Sequence, residues 1–122
     1  MPAAPSSSPR QFIQGAPVLQ VADVLATAAY YRDILGFIWD FGDKDYCVVW
    51  RENSAIHLAL GDHAPTGVHL FQWVNNVDAL HAELCGKGAV ISVEPGDQPY
   101  GVRDFGVTDP NGVAIVFGQD ID

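Results

Sequence analysis

The stretch IQGAPVLQVADVLATAAYYRDILGF, residues 13–37, joins two different periodicities. Ile13 to Val21 carries the apolar residues of a strand. Asp23 then offers the short side-chain oxygen that suits an N-cap. After it Val24, Ala28, Tyr31 and Leu35 recur at helical spacing, so the segment predicts an amphipathic helix of about three turns, closed by Gly36. Three β-rich runs follow: FIWDF at 37–41, YCVVW at 46–50 and AIHLAL at 55–60. They are separated by GDKD and RENS, which reads as a meander.

The order then begins again. Val68 to Val74 reads as a strand, Asn76 as a cap, and Val77, Leu80 and Leu84 as one helix face before Gly86 and Gly88. Strands are expected at 89–93, 103–108 and 113–117, with Asp109-Pro110-Asn111-Gly112 as a tight reversal between the last two. Val21-Ala22-Asp23-Val24 echoes Val74-Asn75-Asn76-Val77 and little else repeats, so the repetition is of architecture rather than of letters. The fold class expected is α+β. Two β-α-β-β-β modules, at about 13–60 and 67–118, share a single domain over 12–122 behind a flexible tail, 1–11. Each module makes a curved mixed sheet with its helix on the convex side, which frees the concave faces to enclose a crevice.

Composition narrows the partners. At 122 residues the chain fits one domain, and 48% hydrophobic content with 11% aromatics is that of a folding chain. A net charge of -9 with only six Lys and Arg excludes a broad phosphate-binding surface, so no nucleic acid is expected, while a cationic ligand would be drawn in. No apolar run approaches the roughly 20 residues that span a bilayer, and the start MPAAPSSSPR lacks the apolar core of a signal peptide. Cys47 and Cys85 lie far apart without CxxC spacing. Neither a disulfide framework nor a zinc knuckle follows, both cysteines read as core fillers, and a reducing cytoplasm is the expected compartment.

Strand alternation assigns the crevice wall. Val68, Leu70 and Val74 share one face and His69, Phe71 and Trp73 the other; Ile56, Leu58 and Leu60 oppose Ala55, His57 and Ala59. The aliphatic faces belong against the helices. That leaves two histidines and two large aromatics facing away, with Tyr46, Val48 and Trp50 as a further stripe. Aromatics on a helix-free face need a cover, either a ligand or a partner subunit, and both hold where a pocket forms at a subunit boundary.

Pro17-Val18-Leu19, Val21, Asp23, Tyr30-Tyr31, Asp33 and Leu35-Gly36-Phe37 together resemble the opening of vicinal-oxygen-chelate proteins, the superfamily of glyoxalases, bleomycin resistance proteins and dioxygenases. Arg103-Asp104-Phe105 with Asp109-Pro110-Asn111-Gly112 resembles their closing hairpin. The middle of the chain is most similar to the bleomycin-binding resistance proteins. The resemblance implies that Tyr46 stands where an aromatic helps hold the drug's bithiazole and Tyr100 where a tryptophan stacks on its other side. Phe71 and Trp73 match aromatic positions of their central strand. It further implies a homodimer with crevices between subunits and an N-terminal strand exchanged at a proline hinge, here Pro17. Stacking a flat heterocycle between two rings gives affinity without any chemical step. The ligand-binding candidates are Phe41, Tyr46, Trp50, His57, His69, Phe71, Trp73, Tyr100 and Arg103. The spacing Tyr-Gly-Val-Arg-Asp-Phe and a shorter run before Tyr100 depart from the bleomycin binders.

Metal-using relatives take one ligand from each of four strands, and the corresponding positions are Ala16, His57, His69 and Val116. Only the two histidines can coordinate, fewer than the three protein ligands of a catalytic site. Loop donors such as Glu52, Asp62 and His63 are not required by any spacing. No GxSxG, HExxH or glycine-rich phosphate loop is present. The reading is therefore a metal-free, cofactor-free dimer that sequesters a flat cationic compound such as a bleomycin-like glycopeptide. Two alternatives stay open. One is an enzyme of the same fold, a metal lyase, a dioxygenase or a metal-free isomerase using His57 or His69; the other is a subunit whose aromatic face only docks another protein.

Overall fold

A computed structural model of the chain describes residues 11–121. All but one of the residues expected to form the tail lie outside that range. Two four-stranded sheets are built in the expected order. In the first module β1 (Val18–Val21), α1 (Val24–Asp33), β2 (Ile38–Gly42), β3 (Tyr46–Arg51) and β4 (Ser54–Leu60) give the strand order β1-β4-β3-β2. In the second, β5 (His69–Trp73), α2 (Val77–Gly86), β6 (Ile91–Gln98), β7 (Val102–Thr108) and β8 (Ala114–Asp120) give β5-β8-β7-β6. In each sheet the first strand runs parallel to the last, Val18 opposite His57 and His69 opposite Ala114, and the remaining pairs are antiparallel. The fold is α+β with two repeated modules.

The helix starts follow the cap chemistry. Asp23 Oδ1 accepts the Ala26 N–H at 2.9 Å and Asn76 Oδ1 accepts that of Ala79 at 3.0 Å, satisfying donors that have no partner inside the helix. Val24, Ala28, Tyr31 and Leu35 are buried, as are Val77 and Leu84, so each helix lays its apolar stripe on its own sheet. Two boundaries differ most from expectation. The strand expected from Ile13 begins only at Val18, and residues 11–17 form no regular element. The run 89–93 becomes a strand through Gln98, because two register shifts between Ile91 and Gly96 let it follow β7 past Pro95.

The modules share no sheet, so side chains must join them. Tyr31 of α1 donates to Asp109 Oδ2 at 2.9 Å, while Asp109 Oδ1 accepts the N–H groups of Asn111 and Val113 in the β7–β8 reversal. Asn111 Nδ2 donates to Thr27 Oγ1 at 3.0 Å, closing the ring. Burial first, then the Asp109 charge, pushes the Tyr30 phenol up to about 12 and the Tyr31 phenol higher still. Both stay protonated donors. At the other junction Arg51, at the end of β3, forks onto Glu83 of α2 at 2.8 and 2.9 Å and also donates to the Leu35 carbonyl.

Two measurements check these joints. Tyr31→Phe leaves the buried Asp109 one donor short and is expected to lower unfolding free energy by about 1.5–3 kcal/mol in denaturant titration. The Glu83 carboxyl is held below its ordinary range, chiefly by the Arg51 hydrogen bond. A carboxyl with a depressed folded-state pKa adds stability above its unfolded value and loses it as pH falls. Wild type is therefore expected to lose more stability than Glu83→Gln between about pH 5 and pH 3.

Candidate functional site

Pairing register fixes which side chains share the helix-free face of the first sheet. Phe41, Val48 and His57 stand in one row, Trp50 pairs with Ala55, and Tyr46 with Ala59. Cross-strand partners point to the same side, so Phe41, Tyr46, Trp50 and His57 lie together. Cys47, Val49, Ile56 and Leu58 are buried on the opposite side in the core with α1. Phe41 reaches its face through a bulge: the register shifts between Trp39 and Phe41, so Trp39 opposes Val49 while Phe41 opposes Val48. Strict alternation would have put both rings on one side.

Tyr46 Oη lies 2.6 Å from His57 Nδ1, and the two rings meet edge to face. With the hydroxyl assigned as donor, Nδ1 accepts, the ring proton sits on Nε2, and the imidazole presents a donor to its surroundings. His57 lines a cavity of about 380 Å³ together with Phe41, Trp50, Asp40, Glu52 and Gln14. Glu52 has φ 51°, the only non-glycine left-handed residue among those described, at the tip of the β3–β4 hairpin.

On the second sheet His69, Phe71 and Trp73 pair with Ala114, Val116 and Gly118 and share the helix-free face. The Phe71 and Trp73 rings are 4.8 Å apart at 63°. Phe71 lies in the space a side chain at Gly118 would fill, so the glycine seats the ring. Asp104 stands in the same row, between Gly118 and Gly96. It is buried, and it accepts from Gln98 Nε2 at 3.0 Å and from Tyr100 Oη at 3.4 Å. Tyr100 itself projects from the β6–β7 turn. Arg103, expected at the ligand, pairs with Gln119 on the opposite side, and Asp78 of α2 and Asp97 hold its guanidinium at 2.9 and 3.0 Å.

A larger cleft of about 1040 Å³ separates the modules, bounded by Phe71, Trp73, Gln72, Arg51 and Glu83, and it shares Glu52 and Ala55 with the smaller cavity. The structure thus gathers Phe41, Trp50 and His57 on one cavity wall, with Tyr46 behind His57, and Phe71 and Trp73 on a neighbouring wall. His69, Tyr100 and Arg103 line neither space.

The four positions matching the family's metal ligands do not fit a catalytic ion: Ala16 precedes β1, Val116 is aliphatic, and only His57 and His69 carry donor nitrogens. Among the described residues no group of three or more His, Cys, Asp or Glu is placed to hold one. Cys47 is buried, its thiol pushed up by burial and secondarily by Asp43. Cys85, expected in the core, is instead exposed on α2.

Residues 7–122 match the model of a family described as glyoxalase superfamily protein. The chain belongs to the glyoxalase superfamily. Among solved structures it is similar to the bleomycin-binding protein of bleomycin-producing Streptomyces verticillus, crystallised with copper(II)-bleomycin. That match has 30% identity over 88% of this chain and 96% of that one, with a TM-score of 0.77. Two others share the fold: a glyoxalase-related enzyme from Clostridium phytofermentans (22% identity, 94% and 100% coverage, TM-score 0.79), and a glyoxalase/bleomycin resistance protein/dioxygenase from Alicyclobacillus acidocaldarius (15%, 89% and 92%, 0.78). No curated protein matches.

In this glyoxalase-superfamily chain sequence reasoning missed two acids, Asp40, hidden by the bulge, and Asp104, counted only as part of a motif, and it weighed Glu52 only as a loop donor to a metal. No helix among the described residues is long and apolar enough to cross a membrane. The Tyr46–His57 contact gives a direct check. Nitrogen NMR of wild type is expected to show one neutral tautomer of His57 with the proton on Nε2, and Tyr46→Phe a mixture. A mixture in wild type would refute the assigned donor direction.

Proposed function

We propose that this chain sequesters a flat, cationic, antibiotic-like small molecule in a crevice completed by a second copy of the chain, without a metal or other cofactor and in the cytoplasm. The observation that carries the reading is the pair of helix-free sheet faces. Tyr46, Trp50, Phe71 and Trp73 stay 37–44% exposed there, and Tyr100 on the β6–β7 turn is 68% exposed, an area of aromatic surface that a lone soluble chain seldom leaves uncovered. Flat heterocycles stack on such rings, and Tyr46 and Tyr100 are the sandwich partners suggested by the family resemblance. Similarity at 30% identity to a protein holding copper(II)-bleomycin supports the ligand class.

Charge supports the sign of the ligand. Each described Lys and Arg lies within an ion pair: Arg32 with Asp33, Lys44 with Asp45, Arg51 and Lys87 with Glu83, and Arg103 with Asp78 and Asp97. No Lys or Arg lines the smaller cavity, whereas Asp40 and Glu52 do. A cation held between carboxylates and the Trp50 and Phe41 rings gains both charge pairing and ring attraction.

A second copy is supported by residues 11–17. Phe12 and Ile13 are 92% and 87% exposed just before Pro17, the position of the strand-exchange hinge in similar proteins. A single chain leaves them in water; a partner would bury them. The enzymatic alternative keeps one supporting feature, the Tyr46–His57 pair, which gives a general base an oriented neighbour.

The decisive experiment titrates the purified protein with copper(II)-bleomycin and with metal-free bleomycin while following tryptophan fluorescence, alongside elemental analysis and light scattering. Saturable quenching, no stoichiometric metal, and a dimer that Phe12→Ser with Ile13→Ser weakens are the expected results. Tyr46→Ala is expected to weaken binding about tenfold, the scale of one lost stacking contact. Absence of quenching with stoichiometric metal would replace this reading with the enzyme.

A further inference from the structure

Outside the crevice, the surface of α2 carries an arrangement of three reactive side chains. His81 and Cys85 are one helical turn apart, and Cys85 Sγ lies 3.4 Å from His81 Nε2. The same nitrogen is 3.2 Å from Glu94 Oε2 on β6. The imidazole does not swing freely: its ring packs edge to face on buried Phe105, centroids 5.3 Å apart at 83°. A nucleophile within hydrogen-bond reach of a base, with that base oriented by other groups, is the pattern of an activated nucleophile. Cys85 is exposed, so a reagent can reach the sulfur, whereas Cys47 sits in the core.

We propose that Cys85 is a reactive thiol that His81 activates for exchange with low-molecular-weight disulfides. The Cys85 proton passes to His81 Nε2 as its sulfur attacks one sulfur of the disulfide. One S–S bond forms, to Cys85, and the original S–S bond breaks. The departing half leaves with the bonding electron pair as a thiolate and then takes up the proton. Electrons balance without any other oxidant, because the disulfide is the two-electron acceptor and the departing thiol its reduced half. Glu94 meets the same Nε2, so it accepts from that nitrogen only after the proton has arrived, and its carboxylate then stabilises the imidazolium.

The chemistry is independent of what the crevice binds, so its failure leaves the binding reading intact. The test incubates folded protein with excess oxidised glutathione and follows adducts by intact mass, with peptide mapping to each cysteine. Cys85 is expected to take one glutathione at least about tenfold faster than Cys47. His81→Phe, which keeps a ring against Phe105, and His81→Gln are each expected to slow Cys85 about tenfold while circular dichroism stays that of wild type. Glu94→Gln is expected to fall between. Wild-type rates in a folded His81→Phe variant would overturn the proposal, as would equal labelling of the two cysteines.

Discussion

Asp109 reads as the middle of a turn, yet its carboxylate holds two chain segments 78 residues apart. One oxygen collects the backbone donors that close the β7–β8 reversal, and the other accepts the Tyr31 hydroxyl from the first module. A buried carboxylate without such donors would cost several kcal/mol. The same residue therefore shapes the reversal and bolts α1 to it. Each sheet is covered by its own helix, and beside this joint the modules share one hydrophobic core, the Tyr30–Thr108 contact, the Arg51–Glu83 fork and the hydrogen bond from Ser54 to Gln72.

That arrangement decides what the concave faces can do. A sheet whose apolar side is satisfied by a helix has no internal reason to carry rings on the other side. Those rings are the part of this sequence that folding leaves unused. They sit on stiff strands rather than on loops, held in place by register, by the bulge at Asp40 and by the glycine beneath Phe71. A wall built this way loses little entropy on binding a rigid flat partner. The described Lys and Arg side chains all lie in ion pairs; the smaller cavity is lined by Asp40 and Glu52 and by no Lys or Arg, while Arg51 at the larger cleft is held by Glu83.

Much of the architecture was legible from periodicity, because each helix is announced by a capping residue and each strand by alternation. The side of each sheet on which Tyr46, Trp50, His57, Phe71 and Trp73 fall followed from counting by two. What defeated counting was local. The bulge between Trp39 and Phe41 separates rings that alternation would unite. The strand expected from Ile13 starts five residues later, because exposed Phe12 and Ile13 have no neighbouring strand in a single chain. Arg103 looked like a ligand contact from its motif, but its pairing with Gln119 turns it toward α2 and two waiting aspartates. Cys85 looked like core because its neighbours Leu84 and Ala82 are apolar, yet only Leu84 faces inward on the helix.

The same reasoning explains why His57 and His69, on strands of different sheets, do not amount to a metal centre. A catalytic ion needs three or more donors held at bonding distance, and the fold offers positions for four. In this chain Ala16 and Val116 occupy two of them. His57 is already committed through Nδ1 to the Tyr46 phenol. The imidazole stands as a polar group beside the Phe41 and Trp50 rings of the smaller cavity. Asp40, beside a bulge, and Glu52, on a hairpin tip, line the smaller cavity with their carboxylates. The fold of the glyoxalase superfamily is thus kept here with aliphatic side chains at two strand positions and with Asp40 and Glu52 beside the aromatic wall, so residues on a shared scaffold, more than the scaffold itself, set what the face can contact.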